Sequence, residues 1–213
     1  MKMQLLAISP GPLEDGWLRK LEQLLPLGER LGLLFRDTTS HARSYFEQAQ
    51  QLAKLCRSAH VAFFVHRRLD MALALEAHLH LPGYGLSPPQ IRPHLPPRQM
   101  ISVAVHNEAE AQKARGANFA LLSPVFSPGS KPEDTRSTLG PAGFGRLAQQ
   151  LPCPAWALGG MDPETLQALQ GQLKSVSSPP PAVPPPLAGV AVVSALWKAP
   201  KPLEVAQALL AQL

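Results

Sequence analysis

Two adjacent glycines, Gly159-Gly160, follow the apolar run Ala155–Leu158. Without a Cβ, such a pair lets backbone N–H groups come close to an anion, and a helix starting just after adds a favourable dipole. Val193-Ser194-Ala195, at the end of another apolar run, offers more N–H donors and a hydroxyl. Together the two stretches could capture a phosphate; alone, Gly159-Gly160 is a turn. Arg36 follows the run Gly32–Phe35 and could fork onto a phosphate or carboxylate, or pair with Asp37. Lys131 comes after Phe119–Leu122 and could reach a phosphate as a point charge, or stay in solvent. His66, His80 and His106 stand at the ends of three more apolar runs. Imidazole carries protons near neutral pH, and equally often serves as a hydrogen-bonded wall.

Side chains at the ends of short apolar runs need a scaffold that gathers those ends. Eight runs read as strands: Gln4–Ile8, Gly32–Phe35, Val61–Val65, Ala77–His80, Met100–Val103, Phe119–Leu122, Ala155–Leu158 and Gly189–Val193. Stretches with helical spacing lie between them. Trp17, Leu18, Leu21, Leu24 and Leu25 share one face, as do Tyr45, Phe46, Ala49, Leu52, Ala53 and Cys56. Asn107 with Glu110 reads as a capping box, and Asp162-Pro163 as an N-cap followed by a first-turn proline. Pro141 and Pro202 suit the same first-turn place, and a last helix is expected over Leu203–Leu213. Strand–helix alternation repeated eight times predicts a single (β/α)₈ TIM barrel, an α/β fold whose phosphate sites commonly use the ends of strands seven and eight. An open doubly wound sheet is the alternative, but no GxGxxG follows the first strand.

Composition narrows the class. The 213 residues include 45% hydrophobic and 16% charged ones, which fits one globular domain, 1–213. The net charge of +5 favours anionic small molecules. Nucleic acid is not expected as a partner, because no basic run interleaves with aromatics and only 6% of residues are aromatic. Cys56 and Cys153 form no metal-ligand spacing and read as inert thiols of a reducing compartment. The apolar start is too short for a signal peptide, and no run is long enough to span a membrane, so the expected location is cytoplasmic. A homodimer is compatible with all of this. Ser177–Pro186, within a proline-rich insertion at about 175–187, reads as a solvated polyproline II loop or as a docking peptide.

Four ordered stretches resemble the thiamine phosphate synthase/TenI family. They are Leu33-Leu-Phe-Arg36-Asp37; Arg68 to Ala74 running into His80-Leu-Pro-Gly-Tyr-Gly-Leu-Ser87; Val105-His106-Asn107 through Ala111 with Ser123-Pro-Val-Phe126 and Ser130-Lys131-Pro132; and Leu158-Gly-Gly-Met-Asp162 with Gly189 to Ala195. The segment Leu81–Arg92 is similar to one that TenI proteins carry after strand four, so the resemblance is closer to that branch. It implies a barrel that handles a thiazole phosphate. The phosphate would rest on Gly159, Gly160, Val193 and Ser194; Arg36, His66, Arg68, His80, Ser123 and Ser130 would contact substrate; His106 and Lys131 would be catalytic.

The departures from the family pattern bear on the chemistry. Synthases hold Mg²⁺ with two aspartates. One belongs to an Asn-Asp-Arg motif, matched here by His66-Arg67-Arg68; the other follows strand four, where this chain reads Pro82-Gly-Tyr-Gly-Leu86. A guanidinium repels a cation that needs carboxylate oxygens. Ala104 replaces a strand-five serine, and Pro124 stands where some TenI proteins carry a histidine. The expected activity is therefore thiazole tautomerisation without a cofactor, Mg²⁺ entering only under the synthase reading. The alternatives are a thiamine phosphate synthase with an altered site and a non-catalytic phosphate-ligand binder or regulator.

Overall fold

In parallel strands packed on both faces, apolar side chains fill both sides of the ribbon. That is the pattern here. The computed structural model describes residues 2–127, 137–176 and 187–213. The proline-rich run at 177–186 lies outside them, as do Ser130 and Lys131. The strands are β1 (Leu5–Ile8), β2 (Leu31–Phe35), β3 (Ala62–His66), β4 (His78–Leu81), β5 (Ile101–Val105), β6 (Phe119–Leu122), β7 (Ala155–Leu158) and β8 (Gly189–Val192). All neighbours are parallel, and β8 closes on β1 with Leu5 opposite Val190. The chain is a closed (β/α)₈ barrel, as the alternation predicts.

The helices that bear on the site are α1 (Asp15–Leu24), α2 (Ala42–Ser58), α3 (Leu69–Ala74), α4 (Pro88–Ile91), α5 (Glu108–Lys113), α6 (Gly140–Gln150), α7 (Pro163–Val176), α8 (Ser194–Trp197) and α9 (Pro202–Leu210). Cap chemistry starts three of them, α4 with a Ser87–Gln90 capping box. Asn107 Oδ1 accepts from the Glu110 N–H at 3.0 Å before α5. Ahead of α7, Asp162 Oδ1 accepts from the Thr165 N–H while Thr165 Oγ1 accepts from the Asp162 N–H, both at 2.8 Å. Among the described residues no helix is long and apolar enough to cross a membrane.

The period-two alternation along each strand sorts apolar side chains into two cores. Leu5, Ala7, Leu33, Phe35, Phe63 and Val65 face the helices. Leu6, Ile8, Leu34, Phe64, Phe119, Leu121, Trp156 and Ala191 fill the barrel interior. Trp156 lies 4.7 Å from Phe119, ring to ring, and Phe119 meets Phe64 edge-on at 5.8 Å. Room for Trp156 comes from Gly189, where a Cβ would lie 2.7 Å from the indole Cε2. This aromatic plug closes the interior, so the open space lies above it.

Six strands differ from the sequence expectation by one or two residues at an end, and three of them run on past the expected C-terminal end. β3 extends through His66, β4 through Leu81 and β5 through Val105. The ladder carries these added residues: His66 pairs in register with His80, and Val105 with Leu122.

Candidate active site at the C-terminal rim of the barrel

All eight strands point their C-terminal ends at one cavity of about 930 Å³. Its walls include Ser9, Arg36, His66, His80, Tyr84, His106, Glu110, Ser123, Gly159, Gly160, Val193 and Ser194. Nine of the expected site residues therefore meet there. Arg68 does not. It heads α3 and is held outside the cavity by a two-pronged ion pair with Asp70, at 3.1 and 2.8 Å, with its guanidinium 5.3 Å above the Tyr45 ring. An acid two residues along and an aromatic face outcompete the cavity for that guanidinium. Ser130 and Lys131 are not among the described residues.

One wall is built from backbone. Gly159 and Gly160 have φ of +95° and +62°, the left-handed region that side chains avoid. Space is as short as conformation. A Cβ on Gly159 would lie 2.8 Å from Pro124 Cα, and one on Gly160 2.7 Å from Phe126 Cβ. The turn is tied to the loop after β6: Leu158 C=O accepts from Val125 N–H at 2.8 Å and Gly159 C=O from Phe126 N–H at 3.0 Å. On the adjacent strand, β8 runs into the short α8. The first N–H groups of a helix lack intrahelical partners. Here Ser194 and Ala195 precede Leu196, whose N–H makes the first turn-closing bond, to Val193 C=O at 3.2 Å. Gly159-Gly160 and Ser194 thus share one rim, as phosphate capture requires.

The opposite wall carries imidazoles and a guanidinium. His66 and His80 stack with centroids 5.6 Å apart and planes 26° apart. His80 Nδ1 is 2.9 Å from Ser102 Oγ, inside the barrel. His66 Nδ1 is buried without a partner. Burial, joined by the charges of Arg36 and Arg67, pushes the His66 imidazole down to about 4. Burial, joined by His66, Arg36 and His106, pushes His80 down to about 3. Both rings are neutral at pH 7, so neither is a proton acceptor tuned to that pH. Arg36 donates its backbone N–H to Ser9 Oγ at 2.8 Å. The pairing of Arg36 with Asp37 is not found. Asp37 Oδ1 instead accepts from Thr39 N–H and Thr39 Oγ1, both at 2.8 Å.

His106 has a different setting. Glu110 Oε2 accepts from its backbone N–H at 2.8 Å and meets its Nδ1 at 2.7 Å. The sequence reading missed this role for Glu110 because it assigned the residue to the helix cap. The helical i,i+4 rule does not link the two, because His106 precedes the cap residue Asn107 and lies outside α5. Ser102 was missed as well; period two from Ala104 along β5 places it inward.

A divalent metal fits these walls poorly. Among the described residues no three His, Cys, Asp or Glu side chains cluster as a metal site. Glu110 is the only carboxylate among the described residues that line the cavity, and its Oε2 is occupied by His106. Mg²⁺ needs several oxygen ligands, usually including carboxylates. The wall offers imidazoles and a guanidinium instead.

Known proteins share this architecture. The chain is 32% identical over 179 residues to a thiamine-phosphate synthase of Chlorobium luteolum, covering 83% of this chain and 78% of that protein. It is 28% identical to a putative thiamine-phosphate synthase 2 of Aquifex aeolicus, over 72% of this chain and 82% of that one. Among solved structures, thiamine phosphate pyrophosphorylase of Pyrococcus furiosus superposes with a TM-score of 0.76 at 20% identity, covering 99% and 95% of the two chains. A 3-hexulose-6-phosphate synthase superposes with a TM-score of 0.65 at 13% identity, covering 99% of this chain and 100% of that one, a likeness of fold alone. The sequence profile described as thiamine monophosphate synthase matches residues 5–196, and the chain belongs to that family.

Proposed function

We propose that this chain binds a thiazole phosphate and shifts a proton on its ring without a metal ion, the activity of a thiazole tautomerase. The observation that carries the reading is the pairing of one imidazole with one carboxylate, His106 and Glu110, in a cavity whose donors do not suit Mg²⁺. The phosphate would lie against the N–H groups of Gly160, Ser194 and Ala195 and the Ser194 hydroxyl, drawn by the same physics that seats anions at helix starts. Arg36, with the neutral His66 and His80, would receive a second polar group of the ligand, and Ser123 would contact its edge. His106 would take the migrating proton, and Lys131 is the alternative carrier. No cofactor is needed for such a transfer.

A second reading is thiamine phosphate synthesis from a thiazole phosphate and an aminopyrimidine pyrophosphate. The names of the relatives favour it. The two readings separate cleanly in one pair of assays. Purified protein is given the unaromatised carboxythiazole phosphate, and separately the two synthase substrates, each with Mg²⁺ and with EDTA. Aromatic product formed in EDTA supports the tautomerase. Thiamine phosphate formed only with Mg²⁺ replaces it with the synthase. Thermal shift with the same ligands reads binding directly, because a ligand of the folded state raises its melting point.

A further inference from the structure

We propose that Glu110 is a positioning residue for His106: its carboxylate holds the imidazole with the proton on Nδ1 and leaves Nε2 as the lone-pair acceptor. The inference rests on the reading of His106 as the proton carrier and assigns the residue that prepares it. An ionised carboxylate only accepts hydrogen bonds. Glu110 Oε2 lies 2.7 Å from Nδ1, so the single N–H of a neutral ring belongs there. The same oxygen accepts the backbone N–H of His106 at 2.8 Å, which fixes ring and main chain together.

Two contacts and partial burial deny Glu110 another place. Asn107 Oδ1 accepts the Glu110 N–H and sets the first turn of α5. The loop after β4 presses from the other side: a Cβ on Gly83 would lie 2.6 Å from Glu110 Cδ. Solvent reaches only 20% of the Glu110 side chain and 27% of the His106 side chain. A glutamate serving only the cap would reach back to the N–H of Asn107. This one reaches one residue further, to His106 and its ring.

The proton balance follows. A C–H bond of the substrate breaks, its electron pair passes into the ring π-system, and the proton forms an N–H bond on Nε2. The imidazolium so formed lies against the Glu110 carboxylate, which stabilises it. The proton then leaves Nε2 for another carbon of the same π-system. Nothing is oxidised or reduced.

The test is a long-range ¹H–¹⁵N spectrum of the full-length protein with labelled histidine, His106 being assigned from the signal missing in H106N. The expected wild-type pattern is a protonated Nδ1 and a lone-pair Nε2. In E110A both tautomers should populate, and kcat should fall about 10²-fold or more while KM changes little. E110Q keeps the shape and one acceptor and should fall between the two; it also serves if E110A does not fold. G83A should displace the carboxylate and move the tautomer ratio the same way. An Nε2–H tautomer in the wild type, or an unchanged ratio in the Glu110 variants, would overturn the inference. The expected tautomer shift in a protein that turns over no thiazole would uphold the positioning role and remove the tautomerase reading.

Discussion

His66 and His80 lie opposite each other in register on β3 and β4, ring on ring at 5.6 Å, and burial keeps both uncharged. His78, two residues before His80, is likewise pushed down to about 4 by burial. In the unfolded chain each would titrate near 6.5. Between that value and about 4 the unfolded chain binds more protons than the folded one, so stability falls as pH falls. Each depressed histidine should cost on the order of 3 kcal/mol by pH 4, at about 1.4 kcal/mol per pKa unit. Calorimetry from pH 7.5 to 4 should show the melting point falling through this window. H66N and H78N should each flatten the slope. A melting point independent of pH over that range would show that these rings are not held neutral.

Ser194→Asp places a carboxylate where the phosphate is expected, at the start of α8. Like charge at a desolvated anion site costs several kcal/mol. Affinity for a thiazole phosphate, read by titration calorimetry, should fall about 10²-fold or more. Wild-type affinity in this variant would move the phosphate site away from the β7–β8 rim.

Gly160→Ala tests the same rim through the backbone. Its φ of +62° disfavours a side chain, and the new Cβ would sit 2.7 Å from Phe126 Cβ and 2.8 Å from Ser127 O. The combined strain should be about 2 kcal/mol or more, a melting point lower by several degrees. Gly171→Ala is the matched control. That glycine lies inside α7 with nothing within 4 Å of its Cβ position, so alanine there should stabilise slightly. Equal effects at the two positions would mean that the Gly159-Gly160 turn is not constrained.

The barrel was legible because its strands are covered on both faces. Runs such as Leu31–Phe35 and Phe119–Leu122 are apolar throughout, and the count and order of strands follow from them. Convergence of Arg36, His66, His80 and His106 with Gly159, Gly160 and Ser194 then follows from closure, since all sit at C-terminal strand ends. Side-chain direction does not follow. Arg68 stands two residues past the cavity-lining His66 yet turns to Asp70 and Tyr45, a choice set by partners on α3 and α2. Glu110 looked like a cap because its link to His106 depends on Gly83, in a loop 27 positions earlier in the chain, leaving the carboxylate one place to go. The neutrality of His66 and His80 depends on burial, which no local sequence pattern reports.

His106→Ala addresses the chemistry itself. Of the three imidazoles at the rim, His66 and His80 are pushed far below neutrality, whereas His106 faces the cavity with a carboxylate on its Nδ1. A general base contributes about 10²–10⁴-fold to rate. Tautomerisation of the carboxythiazole phosphate should slow by that factor in H106A, while affinity for the phosphate ligand, held on the opposite wall, should stay within a few-fold. Added imidazole should restore part of the rate by entering the space the ring leaves. H66N should keep most of the rate, because a neutral hydrogen-bonding side chain replaces another. Should H106A turn over at the wild-type rate while H66N does not, the proton carrier would be on β3 instead.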